Sequence, residues 1–301
     1  MNLTQLRYFV SVARNKSLSR AADDLHISQP ALTRQVKLLE SELGGGLLQR
    51  HARGVSLTDL GQILLERAER QLRDFEQLRS DVADASIAPT GRLRIGCPPS
   101  LSTFLLTRPL KTFTQAHPKV IVEVRESISD DLWKAVLHDR LDIAIVSATG
   151  LETSRHFLSE ALFSEPIWLF GPRRKQGLPA NQSLDGLPLI LTHSNNAARD
   201  AVERDMRRSG HELKVVAETD SPRLIVEMIK AGVGYTIAPY LTFFQQLRTR
   251  ELSGRPLKRL TVERTLIRRN DRSASKAMRL FASLLRPEIE AACKEIARAK
   301  G

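Results

Sequence analysis

Cysteine is nearly absent from this 301-residue chain, which holds only Cys97 and Cys293. Two thiols cannot build a disulfide framework or a thiolate metal site, so no metal or other cofactor is expected, and a reducing compartment suits the chain. Aromatic residues are scarce, at 5%. No apolar run approaches the roughly 18 residues that a membrane helix needs. Residues 1–10 lack the basic stretch followed by an apolar one that marks an export signal. Together these absences predict a cytoplasmic protein with no membrane partner. Apolar residues at 42% and charged residues at 27% fit a globular chain. Its length suits two or three domains of about 100–150 residues each.

Acidic residues are outnumbered, 34 against 46 Lys and Arg, giving a net charge of +12. A basic total suits a polyanion partner, but its distribution does not locate one. Residues 1–90 hold 12 bases against 11 acids, residues 91–239 hold 19 against 17, and residues 240–301 hold 15 against 6. The C-terminal excess (Arg248, Arg250, Arg255, Lys258, Arg259, Arg264, Arg268, Arg269, Arg272) reads first as a solvated face. Only geometry can mark a DNA-binding surface in this chain.

That geometry lies near the N-terminus. Leu6, Phe9, Val10 and Ala13 recur at helical spacing and predict a helix over 3–14. A short helix over 18–25 follows, capped by Ser17 or Ser19, with Ala21, Ala22 and Leu25 inward. After a break at His26-Ile27, Ser28-Gln29-Pro30 starts a third helix, because proline needs no N–H donor in a first turn. This helix runs to about residue 43 and stops at Gly44-Gly45-Gly46. At about 100° per residue, Leu32, Val36, Leu39 and Leu43 share one face. Gln29, Pro30, Thr33, Arg34 and Lys37 lie opposite. Three helices in this space, with a tight break between the second and third, match a helix-turn-helix whose third helix enters a major groove. Gln bonds an adenine edge, Arg or Lys reads guanine, and Thr touches an edge or a thymine methyl. A merely solvated polar face is the alternative; the Ser-Gln-Pro turn favours DNA.

The alternation around Gly54 predicts a two-stranded wing, with Arg50 and Arg53 in reach of phosphates or a minor groove. Thr58 then caps a helix over about 59–86, some 42 Å long at 1.5 Å per residue. Leu65, Ala68, Leu72, Phe75, Leu78 and Val82 form its apolar seam. A dimerisation helix is the simplest reading, and packing onto its own chain is the alternative.

Residues 3–70 resemble the winged helix-turn-helix and linker helix of the LysR-type transcriptional regulators. The resemblance is carried by Leu6-Arg7-Tyr8-Phe9, Ser17-Leu18, Ala21-Ala22, Leu25, Ser28-Gln29-Pro30-Ala31-Leu32-Thr33, Leu39-Glu40, Leu43-Gly44, Arg50, Leu57-Thr58 and Gly61. Three glycines stand where that family usually has one, and Leu48 where Phe is common. The resemblance implies a sequence-specific regulator of transcription that binds double-stranded DNA. It also implies a homodimer or homotetramer, a small-molecule effector, and RNA polymerase as a further partner.

Beyond Pro89-Thr90-Gly91, short apolar strands alternate with amphipathic helical segments, the pattern of βαβ units and a mainly parallel sheet. The pattern occurs twice, predicting two α/β subdomains with a cleft between them. Leu184 to Ile190 and Ala231 to Pro239 resemble the same family's effector domain, which is similar to periplasmic solute-binding proteins. The expected fold is therefore α/β with an all-α N-terminal part. The expected boundaries are 1–58 for the DNA-binding domain, 59–88 for the linker helix and 89–301 for the effector domain. Its subdomain I would span about 89–165 and 267–301, and subdomain II about 166–266.

Small ligands gather at strand ends and helix N-termini in such clefts. The candidates are Pro98, Ser100, Ser102 and Thr103 after the first strand, Ser129 after the second, and Ser147 after residues 142–146. His193, Ser194 and Arg199 join them from the second subdomain, with Gly232 in a later turn. Caps alone explain each stretch singly; three converging stretches favour a pocket, and a carboxylate suits helix N-termini. Cys97, just before a helix start, raises the question of redox sensing, with no second cysteine near it. A solute-binding protein using its first helices for assembly is the second function considered. An α/β enzyme is the third, and no nucleophile elbow, phosphate loop or zinc spacing supports it.

Overall fold

The computed structural model describes residues 1–51, 54–84, 88–147, 156–173, 178, 184–194 and 196–300. Two compact units are present, Met1–Ala85 and Ser86–Gly301.

The N-terminal unit follows its caps. Asn2 and Gln5 form a reciprocal capping box that starts α1 (Leu3–Asn15). Ser17 caps α2 (Leu18–Asp24) by accepting from Arg20 N. Ser28 caps α3 (Gln29–Leu43) by accepting from Ala31 N, and Gly44 ends it in the left-handed region. A two-stranded wing follows, β1 (Leu48–His51) antiparallel to β2 (Gly54–Leu57). Glu40 of α3 holds the entry to the wing, its Oε1 accepting from Leu47 N at 2.8 Å and Leu48 N at 3.2 Å. Thr58 caps α4 (Asp59–Asp84), its Oγ1 accepting from Gly61 N and donating to Gly46 O. Leu32, Val36 and Leu39 are buried as the wheel predicts, but Leu43 is exposed.

The seam of α4 divides. Leu64, Leu65, Ala68 and Leu72 pack against the buried Leu6, Phe9 and Val10, so this half serves the unit's own core. Phe75 and Leu78, further along, are exposed. The Val82 side chain lies outside the described residues. Packing onto its own chain therefore holds for the first stretch of the helix, and the second stretch leaves apolar side chains uncovered.

In the second unit, β3 (Gly91–Cys97), α5 (Pro99–Ala116), β4 (Val120–Glu126), α6 (Ser129–Leu137) and β5 (Ile143–Ser147) form the first set of βαβ crossovers. A long strand β6 (Phe157–Pro172) follows. The second set is β7 (Leu189–Leu191), α7 (Ala197–Arg208), β8 (Val215–Glu218), α8 (Pro222–Lys230) and β9 (Tyr235–Pro239). A 3-10 turn (Tyr240–Phe243) and α9 (Phe244–Arg248) lead into β10 (Leu252–Arg269), and α10 (Lys276–Lys300) ends the chain. All these strands join one sheet, in the order β4-β3-β5-β10-β6-β9-β7-β8. The two outer triplets are parallel within themselves, whereas β10 runs antiparallel to β5 and β6, and β6 antiparallel to β9. The expected parallel sets are thus present, joined by two long antiparallel strands; the apolar run over 167–171 reads from sequence as the first strand of the second parallel set but is the end of β6, and nothing in the pattern marks β10.

Much of the C-terminal basic stretch is strand rather than solvated face, which corrects that expectation. Arg264 is buried, and Arg269 and Arg272 both pair with the buried Asp139. Alternation explains Arg264: Val262 and Arg264 face inward while Thr261 and Glu263 face outward.

A Cβ on Gly61 would lie 2.1 Å from Leu47 O. Gly61→Ala should therefore lower the stability of the N-terminal unit by about 1–3 kcal/mol, read as a shift in its urea unfolding midpoint.

Candidate DNA-reading face and effector cavity

On α3, Gln29, Pro30, Arg34 and Lys37 are exposed and Thr33 is half-buried at the edge of the same face. Ser28 spends its hydroxyl on the cap, and Gln29 Oε1 accepts from Ser19 Oγ at 3.1 Å. Arg34 and Lys37 form no ion pair with a described residue. Their charge, beside the amide of Gln29 and the hydroxyl of Thr33, is what base edges and phosphates require. Arg50 lies on β1, where only its backbone is described, and Arg53 lies outside the described residues.

The second unit holds a cavity of about 80 Å³ between its two parallel strand sets. Of the expected ligand residues, Pro98, Ser100, Ser129 and Ser147 line it. The others stand elsewhere. Ser102 is buried and donates to Glu126, and Thr103 lines a neighbouring cavity with Phe104 and Phe244. Ser194 and Gly232 are exposed away from the cavity lining. Arg199 has turned to structural work: it bonds Glu203, Glu218 and Thr192 O, each at 2.6 Å. Those carboxylates hold its pKa above the ordinary arginine value despite partial burial. His193 is exposed, and its Nδ1 lies 2.8 Å from Asp220 Oδ2. Asp220, not His193, lines the cavity.

Arg264 organises one wall. It is 2% exposed and Glu165 is 0% exposed, so neither charge is tolerable without the other. Arg264 Nε and Nη2 lie 2.8 and 2.7 Å from Glu165 Oε2, while Glu165 Oε1 accepts from Leu241 N at 2.7 Å. The remaining guanidinium bonds run to Ser147 Oγ at 2.9 Å and Ser100 Oγ at 3.3 Å. Ser129 Oγ in turn accepts from Ser147 N at 2.9 Å. The three serines therefore sit where the ion pair and the β5 backbone hold them. On the opposite wall Asn196 caps α7, and Thr236 donates to Ile190 O at 2.6 Å.

Glu165, Arg264, Asp220 and Thr236 escaped the sequence reading. Inward alternation was the available signal for Arg264; nothing local marks its partner 99 residues away. Cys97 is fully buried at the end of β3, and burial pushes its thiol far above the usual range.

A winged helix-turn-helix with an exposed polar, partly basic helix face, and an α/β unit whose cavity sets a few polar groups in an apolar lining, define a ligand-responsive DNA-binding protein. Residues 3–62 match the family of bacterial regulatory helix-turn-helix proteins, lysR family, and residues 87–290 match the LysR substrate binding domain. Nitrogen assimilation regulatory protein nac of Klebsiella aerogenes is 33% identical over 245 residues, 79% of this chain and 78% of that protein. A hydrogen peroxide-inducible genes activator of Dickeya chrysanthemi is 30% identical over 250 residues, 82% of this chain and 81% of that protein. Among solved structures, full-length BenM is 28% identical with TM-score 0.53, covering 95% of this chain and 96% of its own. Full-length CbnR complexed with its target DNA shares the fold at 22% identity and TM-score 0.70, covering 96% of this chain and all of its own. The chain belongs to the LysR family of transcriptional regulators: it pairs a DNA-binding helix-turn-helix with an effector-binding domain.

Two outcomes follow from burial. Glu165→Ala strands the Arg264 charge and should cost the second unit about 3–5 kcal/mol in chemical unfolding. Iodoacetamide should modify the exposed Cys293 in the native protein and reach Cys97 only after denaturation, as peptide mass mapping will show.

Proposed function

We propose that this regulator reads its operator with Gln29, Thr33, Arg34 and Lys37 of α3, and that a small molecule in the cavity beside Arg264 sets its grip on that DNA. The observation that carries the reading is the cavity wall itself, where a buried ion pair presents Ser100 and Ser147 and the β5 backbone presents Ser129. Burying two charges to position hydroxyls is costly for stability alone and suits a ligand site. Occupancy acts by differential affinity for two arrangements of the domain. Pro98 belongs to this site; Ser28 and Pro30 serve the DNA helix as its start, and Arg50 and Arg53 of the wing contact phosphates.

The assembly in this reading is a homodimer or homotetramer in the cytoplasm, with RNA polymerase as a further partner and no catalytic role. Exposed Phe75 and Leu78 on α4 support self-association. Some relatives are activators of hydrogen peroxide-inducible genes. Cys97 has no part in peroxide sensing in this reading, because it is buried as a thiol and peroxide chemistry needs an accessible thiolate.

Fluorescence anisotropy on the DNA upstream of the regulator's own gene tests the reading. Thr33→Ala and Arg34→Ala should each weaken binding to that DNA by about 1–3 kcal/mol and leave scrambled DNA nearly unaffected. Equal loss on both sequences would remove α3 as the reader of bases.

A further inference from the structure

Three serine hydroxyls in the cavity each have one role already taken, which fixes the role they leave for a ligand. Ser100 Oγ and Ser147 Oγ accept from the Arg264 guanidinium, and Ser129 Oγ accepts from Ser147 N. All three partners are obligate donors, so these serines keep their own protons to give. The wall built from β5, α5 and α6 therefore offers three donors. Ser127, also in the lining, spends its proton on Asp131.

The facing wall has the opposite character. Thr236 commits its proton to Ile190 O at 2.6 Å, which leaves only lone pairs. Asp220 is a carboxylate with one contact on each oxygen, both from His193, and keeps further acceptor capacity. Asn196 Oδ1 is occupied by Ala198 N and Arg199 N, so only its Nδ2 amide, with two N–H donors, is left on that side. Between the walls, Thr242 Oγ1 is buried and finds no hydrogen-bond partner among the described residues. Pro99, Ile128, Ile225, Phe243 and Val262 fill the rest of the lining. Simple acids place nothing but apolar surface against Asp220, and simple amines place no acceptor against the serines.

We infer that the effector is a small two-ended molecule, an amino- or hydroxycarboxylate. Its carboxylate meets Ser100, Ser129 and Ser147, and its ammonium or hydroxyl donates to Asp220 and Thr236. This rests on the cavity being the effector site, and it adds what the helix starts alone do not demand: a donor at the far end. A ligand that engages both walls also ties the two strand sets together, which is the differential contact that a switch requires.

Thermal-shift and calorimetric titrations of the full chain test it with matched probes. Butyrate and butylamine carry one end each; 3-hydroxybutyrate and 4-aminobutyrate carry both. The two-ended probes should stabilise the protein, and the one-ended probes should bind at least about tenfold more weakly. Asp220→Asn should erase the advantage of 4-aminobutyrate, and Thr236→Val, which leaves the Asp220–His193 pair intact, should weaken both two-ended probes. Butyrate binding as well as 3-hydroxybutyrate, with Ser100→Ala weakening both, would overturn the two-ended inference and leave the cavity as the site. Two-ended probes binding equally to native protein and Ser100→Ala would overturn the cavity reading itself. No stabilisation by either two-ended probe would also overturn the inference.

Discussion

A buried guanidinium–carboxylate pair is the constraint around which the effector domain is arranged. Arg264 and Glu165 lie on the two long antiparallel strands that join the parallel triplets, β10 and β6. In such surroundings neither charge can stand alone, so the strands that carry them are held in register at that point. Glu165 also fixes the backbone of Leu241 as the chain leaves β9. The guanidinium reaches onward to hydroxyls at the start of α5 and the end of β5. One interaction thus ties the sheet centre to one cavity wall, where it positions Ser100 and Ser147.

The N-terminal unit depends on a different economy, that of caps and short side-chain pins. Glu40 reaches from α3 to hold the wing's first backbone groups, while Thr58 closes the wing and opens α4 with one hydroxyl. Because capping and core packing occupy Ser28, Leu32, Val36 and Leu39, the exposed remainder of α3 is left to the solvent side. That remainder carries the hydrogen-bonding chemistry of base recognition. The apolar stripe of α4 serves first its own unit and then, past Leu72, faces outward.

The local parts of this architecture were legible from residue order alone. Caps and helix stops act within four residues, so Ser28-Gln29-Pro30, Gly44 and Thr58 place the elements of the first unit to within a residue or two. The βαβ alternation likewise exposed both parallel strand sets. The antiparallel course of β6 and β10 was hidden because their pairing spans about a hundred residues and proline interrupts each at Pro166 and Pro256. The cavity was half legible. Serines at strand ends and helix starts drew attention to Ser100 and Ser129, but the same logic named Arg199, whose carboxylate neighbours claim it. Asp220 was passed over for its neighbour in space, His193, and Arg264 was folded into a run of basic residues read as surface.

In this reading the ion pair serves the cavity and not stability. Replacing both partners, as Glu165→Met with Arg264→Met, removes the charges together and leaves no unpaired group behind. Chemical unfolding of this double variant, followed by titration with 4-aminobutyrate, measures the two roles separately. The account predicts a cooperatively folded domain near native stability that no longer responds to the probe. A double variant that binds 4-aminobutyrate as the native protein does would contradict it.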